Sequence, residues 1–208
     1  MRLPELLQDS DGRRARAVLS RYYGTGAYSR PSPFTGSRFD AWDSSGTRWA
    51  DRHRFTADDL VAVTFLSVDV PARAAIQLLD SRAHTFQELL DQLGEDRDLI
   101  EESEAWGDDW AGWQLWKELM SLPGVGATTA SKLLARKRPK LRPIYDSVVA
   151  EVVGSTQLWE PLRALLSSSP ELHERLLRLR HDADLPDEVS ALRVFDVVAW
   201  MEGKYGPG

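Results

Sequence analysis

Residues 122–146 read LPGVGATTASKLLARKRPKLRPIYD, the stretch in which residue types and spacing point most clearly to chemistry. A helical run ends at Ser121, Pro123-Gly124-Val125-Gly126 makes a tight turn, and a second helix is predicted from near Ala127. The two glycines allow positive φ and a close backbone approach. The amides of Gly124, Val125 and Gly126 and the first turn beyond them, through Thr128 and Thr129, form the unpaired donor set of a helix start, an anion site. Thr128, Lys132 and Arg136 recur every four residues and so share a helix face, which Lys137 extends. Hydroxyl, ammonium and guanidinium groups on a face that opens at those amides suit a phosphate track. The expectation is a helix-hairpin-helix element gripping a nucleic-acid backbone, with duplex DNA as partner.

Pro139 and Pro143 then stop the helix and carry Tyr145-Asp146 to the start of the next, predicted over Ser147 to Val153. Asp146 has two readings. As an N-cap it contributes about 1 kcal/mol and needs no further role. As a carboxylate presented beside a bound strand, it can stabilise developing positive charge or orient an attacking water.

The elements that must position this stretch are helical. Ser10-Asp11 can cap a helix to about Tyr23, with Val18, Leu19 and Tyr22 on its apolar face. Thr56 with Asp59 forms a capping pattern for a helix carrying Leu60, Val63, Phe65 and Leu66. Pro71 suits a first turn, and Thr85 opens a short helix closed by Gly94. Leucine-rich helices follow around Trp159–Leu166 and Leu172–Leu179, and a last one after Pro186; the closing Gly-Lys-Tyr-Gly-Pro-Gly reads as a frayed end. No period-2 run with hairpin turns occurs, so the fold class is all-α. A single helical unit over 1–208 is expected, divisible into subdomains 56–155 and 1–55 plus 156–208 with a cleft between them.

Residues 24–55 are rich in glycine, serine and proline yet carry Tyr28, Phe34, Phe39, Trp42 and Trp49. A loop this long is usually functional or disordered, and its aromatic content argues against disorder. Either its aromatics fold it onto the core, or it walls a cleft where Tyr28, Phe34 or Trp42 stacks on a base, with Tyr145 nearby. Trp106, Trp110 and Trp113 fall on one helical stripe with Trp116 beside it, read first as packing behind the hairpin and second as a stacking surface.

Composition sets the bounds. The net charge of −6 is polarised: 91–109 holds nine acids and one arginine, whereas 132–142 holds six basic residues and no acid. The acidic run reads as a solvated face or as a phosphate mimic that orients DNA. With no cysteine, disulfides, thiolate zinc sites and iron–sulfur clusters are excluded, and the four histidines show no ligand spacing. No run is long and apolar enough to span a bilayer and Met1-Arg2-Leu3-Pro4 does not open a signal peptide, so a cytoplasmic protein without membrane contact is expected.

LPGVG-x-x-T-A with an aspartate opening the next helix resembles the signature of the helix-hairpin-helix DNA glycosylase superfamily, over about residues 116–153. The resemblance implies that the hairpin holds the DNA backbone and that Asp146 stands beside the anomeric carbon of an extruded nucleotide. Bifunctional members carry a lysine two residues after the second hairpin glycine; here that position is Thr128. It therefore implies a monofunctional enzyme that leaves the strand intact. It also implies that the carbonyls of Met120, Leu122 and Val125 hold a sodium or potassium ion. FTADDLVAVTFLSVDVP and LLARKRPKLRPIYDSVV are further similar to an uncharacterised actinobacterial domain-of-unknown-function family, which supplies no activity. Three functions follow as expectations. One is a monofunctional glycosylase using Asp146, another a non-catalytic DNA-binding protein in which Asp146 only caps, and the third a helical module whose acidic face meets a protein.

Overall fold

Thr56 and Asp59 close a reciprocal capping box, the Thr56 amide donating to Asp59 Oδ2 at 2.8 Å. In the computed structural model, which describes residues 1–28, 31–102 and 107–207, ten α-helices and no strand are found among the described residues. They are α1 (Arg13–Tyr23), α2 (Ala57–Thr64), α3 (Ala72–Ile76), α4 (Ala83–Leu93), α5 (Ala111–Met120), α6 (Ala127–Lys137), α7 (Ser147–Val153), α8 (Trp159–Ser168), α9 (Pro170–Asp182) and α10 (Ala191–Tyr205). The boundaries follow local chemistry. Gly94 ends α4 at φ +78°, a conformation that favours glycine, and Pro170 supplies the first turn of α9.

α6 is the central rod: every residue from Thr129 to Lys137 is buried. α2 and α5 pack on it, and α10 packs against α1, α7 and α9. The closing residues do not fray where expected. α10 continues through Gly203 to Tyr205, because Gly203 lies against α7 so closely that a Cβ there would meet Val148 Cγ1 at 2.4 Å.

The described residues of 24–55 fold largely onto the core, as the first reading of their aromatics expected. Phe39 and Phe55 are buried, Phe34 stacks on Tyr22 at 5.2 Å, and Trp42 meets Phe65 edge-on at 5.1 Å. A segment with so little regular structure leaves backbone carbonyls without ladder partners, and buried carbonyls need donors. α6 supplies them. Arg136 donates to the carbonyls of Phe39 and Trp42, Lys137 to that of Asp51 at 3.1 Å, and Arg138 to that of Arg52 at 2.9 Å. Asp59, 1% exposed, balances this charge, with Arg136 Nε at 3.2 Å and Lys137 Nζ at 2.5 Å.

The acidic segment is also structural where it is described. Asp96 accepts the Lys140 amide at 3.1 Å, Arg97 pairs with the buried Glu102 at 2.5 Å, and Glu95 holds Arg52 at 3.1 Å and His53 at 3.3 Å. Of these contacts only that of Asp96 reaches the basic segment, and it does so at a backbone amide. Trp110 is buried, while Trp113 and Trp116 pack on Trp159 at 4.9 and 5.1 Å; Trp106 lies outside the described residues. Among the described residues no helix is long and apolar enough to cross a membrane.

Candidate functional site

The hairpin between α5 and α6 is a tight turn in which the Val125 amide donates to the Leu122 carbonyl at 3.1 Å. Gly124 sits at φ +77°, as the third residue of a type II turn after Pro123 requires. A Cβ at Gly124 would also meet Pro71 Cγ at 2.9 Å. Gly126 is exposed in extended backbone and opens α6 without a side-chain cap. Among the described residues no protein group accepts from the amides of Gly126, Ala127 or Thr128. The donor set of an anion site is therefore present and outward, while Val125 and Thr129 are buried. Of the carbonyls expected to hold a monovalent cation, those of Met120, Leu122 and Val125, that of Leu122 already accepts within the turn.

The expected phosphate track does not exist as a surface. Lys132, Arg136 and Lys137 are 3%, 3% and 6% exposed, and all three end on protein acceptors. The four-residue spacing was read correctly as one face, but that face points inward, onto α2 and the 24–55 segment. Only Thr128, half-buried at the start of the helix, keeps access to the outside.

Asp146 occupies the N-cap of α7, its Oδ1 accepting the Val148 amide at 3.0 Å. Its Oδ2 lies 3.7 Å from Lys132 Nζ, and the side chain stays 22% exposed. That exposure is onto a cavity of about 380 Å³ lined by Phe34, Gly36, Lys132, Asp196 and Trp200 among others. The volume falls within the range of small-molecule sites. Lys132 also donates to the Leu66 carbonyl at 2.7 Å, and burial lowers its pKa against the opposing pull of Asp146 and Asp196. Next to Leu66, Ser67 lines the same cavity at φ +60°, a strained conformation for a residue with a Cβ.

The far wall comes from α10. Arg193 donates to Asp40 at 3.1 Å, to the Tyr22 hydroxyl at 3.0 Å, to the Gly36 carbonyl at 2.9 Å, and to Asp196. Gly36 is required there, since a Cβ would fall 2.0 Å from the Tyr22 hydroxyl. Burial pushes the Asp196 carboxyl up to about 6, the Asp146 charge adding to the rise while Arg193 and Lys132 oppose it. The cavity thus holds two carboxyl groups in different environments, with an ammonium group acting on both.

Of the aromatics expected around Asp146, only Phe34 lines its cavity. Tyr28 is 45% exposed away from it, Trp42 packs on Phe65, and Tyr145 is tied into the chain by its amide, which donates to Ser131 Oγ at 2.9 Å. The aromatic lining is instead Tyr22, Phe34, Phe65 and Trp200, with Trp200 edge-on to Tyr22 and Phe34 at 6.0 and 5.9 Å. Arg193 and Asp196 were not expected in the site. Their signal was available: two charges three residues apart inside the run Ala191-Leu192-Arg193-Val194-Phe195-Asp196-Val197-Val198 have no solvent-facing explanation. No group of histidines and carboxylates that could hold a metal ion occurs among the described residues.

A model described as Family of unknown function (DUF6308) matches residues 15–203. No curated protein and no solved structure matches the chain.

Proposed function

The chain belongs to that family of unknown function, and from its own cavity we propose that it is a monofunctional DNA glycosylase, hydrolysing the N-glycosidic bond of a damaged or modified base. The observation that carries the reading is Asp146: a carboxylate fixed by its cap bond, open on one side to a cavity with an aromatic wall, one short helix-loop connection from an uncapped hairpin. Breaking the bond develops positive charge on the deoxyribose, which a fixed carboxylate stabilises, and the same group orients or deprotonates the attacking water. An extruded base would enter the cavity against the wall that Phe34 and Trp200 form by their edge-on contact.

The grip on the strand is assigned to the amides of Gly126, Ala127 and Thr128 rather than to the basic face of α6, whose charges are spent inside. That makes the phosphate contact small, and a shallow salt dependence follows. Thr128 stands at the position where bifunctional members of the resembling superfamily carry lysine, and a hydroxyl there is a weaker nucleophile than an amine, so no covalent intermediate is expected. The test is release of free base from a panel of lesion-bearing duplexes, present in the native protein and lost in Asp146→Asn.

One observation favours the second reading, a DNA-binding protein without chemistry: Asp146 does cap α7, and that alone justifies the residue. Duplex binding in the absence of base release from every lesion would select it.

A further inference from the structure

Asp146 and Asp196 lie on α7 and α10, two helices packed against each other, and both line the cavity that the hydrolase reading assigns to the extruded base. Asp196 is not a surface acid that strayed inward. It is 6% exposed, on the only side of α10 that meets the cavity together with Trp200 and Lys204, and it accepts from Arg193. The groups acting on it come from its own helix and several neighbours: Arg193 on α10, Tyr22 on α1, Asp40 beyond Arg193, Lys132 on α6 and Asp146 at the start of α7. Arg193 is shared with Asp40 and the Tyr22 hydroxyl, so Asp196 does not have its full charge to itself.

We propose that Asp196 is the proton donor of the site, delivering its carboxyl proton to a ring nitrogen of the departing base while Asp146 serves the sugar. The proposal rests on the hydrolase reading and deepens it by naming a substrate class: bases whose ring nitrogen must be protonated to leave, which are neutral purines. The step balances. The bond from the anomeric carbon to the base nitrogen breaks with its electron pair going to the base, and the Asp196 proton neutralises that charge. Water adds its oxygen to the anomeric carbon and gives one proton to Asp146. Solvent exchange then returns Asp146 to its ionised form and Asp196 to its acid form.

Its physical basis is the pairing of environments. Two carboxyl groups coupled through a shared ammonium group separate into one acid and one base when one of them is buried and the other is not. Asp196 is the buried member, raised to about 6, and Asp146 is the partly exposed one. Lys132 stands on the side of both, so loss of its charge would raise Asp196 further.

The experiment has two arms on the full-length chain. In the first, the carboxyl carbons of aspartate are labelled with ¹³C and titrated by NMR. Two resonances with midpoints near 6 are expected, from Asp96 and Asp196; one of them should be absent from Asp196→Asn and shifted to lower pH in Asp146→Asn, and the other absent from Asp96→Asn. In the second, base release is followed under single-turnover conditions from duplexes containing one hypoxanthine, one ethenoadenine or one uracil. Purine release is expected to fall as pH rises through about 6, and Asp196→Asn to be slower by about 100-fold or more with that pH limb removed. Asp196→Glu, which keeps an acid, should restore part of the rate and the limb. Native-like binding of an abasic duplex by both variants shows that they are folded. An Asp196 titration in the ordinary carboxylate range, an unchanged pH limb in Asp196→Asn, or release confined to uracil overturns the proton-donor assignment and leaves the hydrolase reading standing. No release from any duplex overturns both.

Discussion

Lys132 Nζ stands 3.7 Å from Asp146 Oδ2 and 2.7 Å from the Leu66 carbonyl, so the helix that begins at the hairpin reaches the cavity through a buried cation. The carbonyl and the carboxylate both favour the ammonium form, whereas burial disfavours it. With one proton held by Leu66 and Asp146 beside it, the amine is proposed to support the carboxylate rather than to attack the sugar. Borohydride added during turnover is therefore expected to trap no protein–DNA adduct, and the strand to remain uncut. A trapped adduct lost in Lys132→Gln would reassign the amine as the attacking group.

The exposed hairpin gives a prediction in which stability and binding move in opposite directions. A Cβ at Gly126 meets nothing within 4 Å, and its φ of −99° suits any residue. Gly126→Asp places a cap and a negative charge at the start of α6, which should stabilise the fold by about 0.3–1 kcal/mol. The same charge stands where a phosphate is proposed to bind, so duplex affinity should drop about tenfold at low salt. Equal affinity in a stabilised variant would remove the hairpin from the binding surface.

The inward basic face makes a third prediction. Asp59 is the acid shared by Arg136 and Lys137, and removing its charge leaves two buried cations under-compensated. Asp59→Asn is expected to cost about 3–5 kcal/mol in denaturant unfolding, a cost typical of breaking a buried ion pair. Lys132, Arg136 and Lys137 changed together to Ala should unfold the chain rather than flatten a salt slope. A folded triple variant with weakened, salt-insensitive DNA binding would return those residues to the surface.

Buried carboxyls set the pH dependence of stability. Asp196 and Asp96 are both raised to about 6, in each case chiefly by burial. Between the unfolded aspartate value of about 3.9 and 6 the native state binds more protons than the unfolded one, so stability falls as pH rises. The contribution is fully present below about 4 and gone above 6. The melting temperature should accordingly decline by on the order of 10 °C over that window through these two groups, and Asp96→Asn with Asp196→Asn should remove most of the decline. A decline unchanged in the double variant would place its origin elsewhere.

Much of the fold was legible because its signals are local. The Thr56–Asp59 capping box, the Gly94 stop and the Asp146 cap each depend on residues three or fewer positions apart, and all three form as read. The direction of a helix face is not local. Thr128, Lys132 and Arg136 do share a face, yet whether it meets water or the 24–55 segment depends on a partner distant in the chain. Loop carbonyls with no ladder of their own drew the cations inward. The site divided the same way. Asp146 was found from its motif and lies in a cavity, whereas Tyr22, Arg193, Asp196 and Trp200 converge on it from α1 and α10, which no spacing connects. Tyr28 and Trp42 are aromatics in the right segment, but Trp42 packs on Phe65 and Tyr28 lies outside.

The central claim is that Asp146 does more than begin a helix, and substitution by Asn separates the two roles, because Asn caps a helix about as well as Asp. The decisive measurement is single-turnover base release by Asp146→Asn, beside its melting temperature, on whichever lesion duplex the native chain processes. A melting temperature within a few degrees of native with release reduced by about 100-fold or more is the expected result. Full release by the folded Asn variant would contradict it and leave Asp146 a cap alone.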